Sequence, residues 1–155
     1  MNARGQPDPM QIAFDEARAA GARGEVPVGA VVVCGEKLLA RAGNRTREDS
    51  DPTAHAEILA IREAARILGS ERLIGCDLHV TLEPCAMCAA AISFARIRRL
   101  YFGAHDPKSG GVEHGGRFFD QPTCHHAPEV YGGFREREAA ELLRDFFRER
   151  RDETG

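Results

Sequence analysis

The sequence predicts an α/β fold, a three-layer α/β/α sandwich on a mixed central sheet. Two patterns point to it: a hairpin of apolar strands follows an opening helix, and later strands alternate with helices instead of with further hairpins. The 155 residues, 17.0 kDa in mass, fit one domain with its core at about residues 9–151 and leave no room for a (β/α)8 barrel. Asp8-Pro9-Met10-Gln11 reads as a helix cap, a first-turn proline and a capping-box Gln, and Met10, Ala13, Phe14 and Ala17 then mark one buried face up to Gly21. Residues 26–34 are β-branched and residues 37–42 return from Gly35, which gives the hairpin.

Residues 44–51 are polar and loop-like. Asp51-Pro52-Thr53 is expected to open a second helix that buries Ile58, Ile61, Ala65 and Leu68 and stops at Gly69. Leu78, Val80 and Leu82 alternate with His79 and Thr81 as a third strand, a helix is expected over about 86–95, and a fourth strand over 97–102. Residues 103–128 read as loops and turns; a short strand at 129–131 precedes a charged amphipathic helix at 135–151 with Ala139, Leu142, Leu143 and Phe146 inward.

Composition narrows the function classes. Hydrophobic residues make up 43% and charged residues 29%, as in an ordinary globular chain. No run is long and apolar enough to span a membrane, and the first ten residues carry no apolar secretion core, so a cytoplasmic protein without a membrane partner is expected. A net charge of −3 means that any nucleic acid must be held by a local patch. Five cysteines, an odd number, suggest metal binding or catalysis before a disulfide framework.

The chemistry lies in Thr53-Ala54-His55-Ala56-Glu57 and Glu83-Pro84-Cys85-Ala86-Met87-Cys88, each placed where a loop becomes a helix. Cys85 and Cys88, three apart, share one helix face, and helix N-termini favour thiolates. With His55 they make a neutral Zn²⁺ site, one ion per chain, with a fourth position for water. Glu57 stands about 200° around the helix from His55 and is poorly placed to ligate. It suits instead the proton transfers of metal-assisted hydrolysis. A closed structural site built with Cys76 and His79 is the competing reading. Strand alternation puts those two residues on opposite faces and argues against it. Cys34 and Cys76 then read as buried small hydrophobes, and Cys124, His125 and His126 as a weaker second metal group.

At these residues the chain resembles the zinc-dependent nucleoside deaminases, whose signature combines His-x-Glu with Pro-Cys-x-x-Cys. Within the cytidine/deoxycytidylate deaminase superfamily it is most similar to the bacterial tRNA-specific adenosine deaminases. Residues 25–30, Gly43-Asn44-Arg45, residues 51–57, residues 80–85 and Asp145-Phe146-Phe147-Arg148 carry that similarity. The resemblance implies a cytidine deaminase-like fold, zinc on His55, Cys85 and Cys88, and proton transfer by Glu57. Asn44, Ala56, Pro84 and Asp106 are the implied substrate contacts. It also implies a homodimer that hydrolyses the wobble adenosine of an arginine tRNA to inosine. His105 replaces an arginine of the family pattern, and residues 121–126 depart from the family's loop. Guanine and deoxycytidylate deaminases share His-Ala-Glu, so a free base or nucleotide is the alternative substrate. A zinc-stabilised RNA-binding module is the non-enzymatic alternative.

The last helix carries Arg144, Arg148 and Arg151 at i, i+4 and i+7, with Phe147 beside the inward Phe146. Asp145 and Asp152 stand at ion-pair spacing from Arg148, which by itself favours a neutralised face. With the resemblance, Phe147, Arg148 and Arg151 become candidate RNA contacts.

Overall fold

The computed structural model describes residue 5 and residues 7–154. Its helices are α1 (Pro9–Ala22), α2 (Ala56–Leu68), α3 (Ala86–Phe94) and α4 (Glu136–Thr154), and its strands are β1 (Gly29–Cys34), β2 (Lys37–Gly43), β3 (Cys76–Leu82), β4 (Arg99–Ala104) and β5 (Glu129–Tyr131). One sheet orders them β2-β1-β3-β4-β5. β1 runs antiparallel to β2 and β3, while β3, β4 and β5 are parallel, so the sheet is mixed as expected.

Alternation along the strands feeds two cores. Val32, Leu78, Val80, Leu100 and Phe102 pack with alanines of α2 and with Ile92 of α3, whereas Val31 and Ala104 pack with Ala13 and Phe14 of α1 and Ala139 of α4. The helices therefore lie on both faces. Asp8 caps α1 by accepting the Met10 N–H at 3.1 Å. α1 lies so close to β1 that a Cβ on Gly29 would stand 1.9 Å from the Ala13 carbonyl oxygen. That approach needs a glycine.

Several expected boundaries move, each for a local reason. β1 begins at Gly29 instead of residue 26, because Pro27 has no N–H and the Val28 N–H turns back to the Val26 carbonyl at 2.8 Å. α2 begins at Ala56, since Asp51 Oδ1 accepts both the Thr53 N–H (2.8 Å) and its hydroxyl (2.7 Å) and so forms a turn instead of a cap. The buried side of α2 is also not the expected one. Ala56, Ala60 and Ala64 face the sheet, Ile61 and Ala65 are only partly covered, and Leu68 is exposed. Small side chains let the helix axis approach β1 and β2 and push the larger ones to the flank. β4 runs on through Gly103, which permits close packing: a Cβ there would stand 2.4 Å from the Thr81 carbonyl oxygen and 3.2 Å from the Ala139 methyl. Within residues 105–128 the regular structure is one 3-10 turn, Phe118–Asp120.

Candidate active site

The delayed start of α2 makes His55 its N-cap residue, and Cys85 is the N-cap of α3. Neither side chain caps its own helix. They point instead at each other: His55 Nδ1 lies 3.6 Å from Cys85 Sγ and 3.5 Å from Cys88 Sγ. Zinc bonds of about 2.05 Å to nitrogen and 2.3 Å to sulfur, meeting at the tetrahedral angle, hold their donor atoms about 3.6 Å apart. The three side chains thus fit a zinc ion as they stand. Among the described residues they form the one His/Cys/Asp/Glu group gathered at metal-ligating distance.

The electrostatics agree with a shared cationic guest. A hydrogen bond from Cys88, aided by His55, pulls the Cys85 thiol down to about 4, while Cys88 is pushed up by Cys85 and by burial. The contact with Cys85 raises His55.

Glu57 sits in the first turn of α2, 4% exposed, and burial holds its carboxyl above the usual carboxylate range against the pull of a backbone N–H and of His55. A buried carboxyl beside the cluster has the affinity for a proton that a general acid-base group needs.

Two loops flank the cluster. In the first, the Asn44 carboxamide oxygen accepts the Ala56 N–H at 2.8 Å, and Arg23 donates to the Asn44 carbonyl at 3.2 Å. No local pattern signals this capping task, because Asn44 lies twelve residues before Ala56. Glu25, 1% exposed, anchors the same loop through the N–H groups of Arg47 (3.1 Å) and Glu48 (2.8 Å). In the second loop, Asp106 Oδ1 accepts the N–H groups of Lys108 (3.2 Å) and Ser109 (3.0 Å). Ala56 and Pro84 are buried beside the ligands. Pro84 uses its carbonyl to accept the Gly111 N–H at 2.8 Å.

The competing metal groups do not assemble. Cys76 is fully buried opposite Cys34, which is only partly buried, whereas His79 stacks on Tyr101 with ring centroids 4.6 Å apart. Cys124 Sγ donates to the His126 carbonyl, and His126 Nε2 donates to the Ile97 carbonyl.

On α4, Arg148 pairs with Asp145 at 2.6 Å, one of its two expected partners, and Phe147 stands edge-on to Phe146. Arg47 and Lys108, which the sequence reading had not singled out, join Arg144, Phe147, Arg148 and Arg151 around a groove of about 780 Å³. An adjoining 420 Å³ pocket brings Asp106 and Lys108 together with Phe147. No helix among the described residues is long and apolar enough to cross a membrane.

A mixed sheet whose helix N-termini carry a histidine and two cysteines, with a buried glutamate alongside, defines a zinc-dependent deaminase. Residues 6–104 match the cytidine and deoxycytidylate deaminase zinc-binding region. The tRNA-specific adenosine deaminase of Agrobacterium fabrum (strain C58) is 68% identical over 142 residues, 92% of this chain and 93% of that protein. A solved structure from studies of A-to-I editing by tRNA:A34 deaminases at the wobble position of transfer RNA superposes with a TM-score of 0.86 at 67% identity, covering 87% of this chain and 98% of the other. Guanine deaminase from Bacillus subtilis is more distant, 31% identical with a TM-score of 0.64 over 84% of this chain and 85% of its own. The chain belongs to the tRNA-specific adenosine deaminase family.

Proposed function

We propose that this protein hydrolyses the wobble adenosine of a tRNA, an arginine tRNA by family pattern, to inosine and ammonia. The observation that carries the reading is the His55–Cys85–Cys88 cluster with Glu57 buried beside it, in a chain 68% identical to a tRNA-specific adenosine deaminase. When bound, Zn²⁺ supplies an acidified water, with a pKa near 7. Glu57 would take one proton from the attacking water as oxygen bonds to C6 and pass it to N1, then take the second from the new C6–OH and pass it to the amino nitrogen as the C6–N6 bond breaks and ammonia leaves. One water is consumed and the charge is unchanged. Asn44, whose side-chain oxygen Oδ1 is committed to α2, offers its NH2 group to the nucleoside, with Ala56 and Pro84 shaping the walls beside the ligands.

Asp106 stands by the pocket shared with Phe147, and we assign it to the neighbourhood of the extruded nucleotide. Phe147, Arg148 and Arg151 grip the RNA along the groove. Residues 9–151 act as one catalytic domain, in the cytoplasm where tRNA is met. Phe94 at the end of α3 and Ile74 in the turn before β3, 70% and 67% exposed, support pairing of two chains into a homodimer. Sedimentation near 17.0 kDa at micromolar concentration would refute the dimer.

The deciding experiment incubates the zinc-loaded protein with tRNA carrying a wobble adenosine, with guanine and with dCMP, and measures inosine and ammonia. Inosine from tRNA alone is expected. Ammonia from guanine or dCMP with none from tRNA would replace this reading.

A further inference from the structure

The Glu83 carboxylate, with no exposed side-chain surface, is used by nothing in the mechanism above. It is nonetheless saturated with donors. Oε2 accepts the consecutive N–H groups of Val112 (3.2 Å), Glu113 (2.9 Å) and His114 (3.2 Å), and Oε1 accepts the Asp106 N–H (2.9 Å) and faces His114 Nδ1 at 2.7 Å. Successive N–H groups turned to one point form a nest of the kind that binds anions, and here the anion is part of the chain. Hydrogen bonds to an ionised, dry acceptor are the strong ones. The loop is built around this carboxylate: a Cβ on Gly110 would stand 2.4 Å from Oε2, and Gly111 packs against the first residue of α3.

Glu83 also has a particular address. It follows β3 directly and precedes Pro84-Cys85, so one residue joins the metal-bearing segment to the loop that carries Asp106 and Lys108. From that loop the connection continues to α4, since His105 lies 2.8 Å from both Glu113 and Glu136.

We infer that Glu83 is a positioning residue: its carboxylate fixes the 106–114 loop, and so the RNA-facing Asp106 and Lys108, at a set place relative to the metal ligands. This rests on the tRNA reading above. It assigns Glu83 to substrate engagement and not to proton transfer or metal binding, and those alternatives separate by experiment.

The test compares Glu83→Ala, Glu83→Gln and Gly110→Ala in the zinc-loaded full chain. Zinc per chain, amide hydrogen exchange at residues 112–114, and kcat and KM for tRNA are measured in each. Expected for Glu83→Ala are retained zinc, amide exchange faster by about tenfold or more, and KM raised about tenfold with kcat nearly unchanged. Glu83→Gln, which keeps one acceptor oxygen, should fall between it and the parent. Gly110→Ala leaves the carboxylate in the sequence but displaces it, and should show the same KM shift even if Glu83→Ala fails to fold. Loss of zinc or of kcat with unchanged KM would overturn the inference. Unchanged amide exchange in Glu83→Ala would overturn it without reference to any substrate. A parent protein inactive on tRNA would instead sink the functional reading, leaving exchange to decide the anchoring.

Discussion

Asn44 Oδ1 accepts the Ala56 N–H at 2.8 Å, so the residue expected to hold the nucleoside also caps the helix that presents His55 and Glu57. The two tasks use different atoms and are separable. Asn44→Asp keeps the acceptor, at a helix N-terminus that favours negative charge, but loses the NH2 donor. It should retain zinc and stability within about 0.5 kcal/mol while losing turnover on tRNA. Asn44→Ala loses the cap as well and should cost about 1 kcal/mol in urea unfolding. Full activity of the Asp variant would remove Asn44 from substrate binding.

Metal retention distinguishes the cysteines. Cys85→Ala should lose zinc and activity together, whereas Cys76→Ala, buried among core side chains, should keep both. Elemental analysis after dialysis checks this. A zinc-replete Cys85→Ala would disprove the ligand assignment.

Glu57→Ala should keep the metal and the fold but lose about 10² to 10⁴ in turnover for each transfer it serves. Stability should fall little or rise, because burial opposes the charged form of this carboxyl. Turnover within about tenfold of the parent would exclude the proton-transfer role.

His105, raised above its ordinary 6.5 by Glu136 and then Glu113, predicts a pH signature. A raised folded pKa contributes stability that is complete below 6.5 and is lost as pH rises through the folded value. Glu136, lowered from 4.5 chiefly by His105, contributes above 4.5 and loses that contribution in acid. The stability difference between the parent and His105→Gln should therefore shrink as pH rises from about 6 to 9. A constant difference in urea titrations would show that His105 is not charged in the folded protein.

Arg148→Ala with Arg151→Ala should raise KM for tRNA and flatten its salt dependence by about 0.7 in log–log slope per lost single-strand contact. An unchanged slope would leave the α4 face as a solvated surface, as the Arg148–Asp145 pair by itself suggests.

Residue order alone pointed to the layered α/β fold and to the His55, Cys85 and Cys88 group of this protein. Helical and strand periods are local: Cys85 and Cys88 come together because one is the N-cap of α3 and the other stands in its first turn, and Cys76 and His79 diverge because they are three apart on a strand. Where a helix begins was less legible, because Asp51 takes the Thr53 N–H in a turn of its own while the cap of α2 comes from Asn44, twelve residues before Ala56, and only the packed chain brings that side chain to the helix end. The loop anchors Glu25 and Glu83 gave no periodic signal, since the donors they gather lie 21 to 31 residues away. Likewise Arg47 and Lys108 meet α4 because β2 and β4, with two strands between them, run in the same direction and so end on the same side of the sheet. Spacing within an element follows from backbone geometry, but the meeting of distant side chains depends on how the elements bury their apolar faces together, which is a property of the tertiary structure.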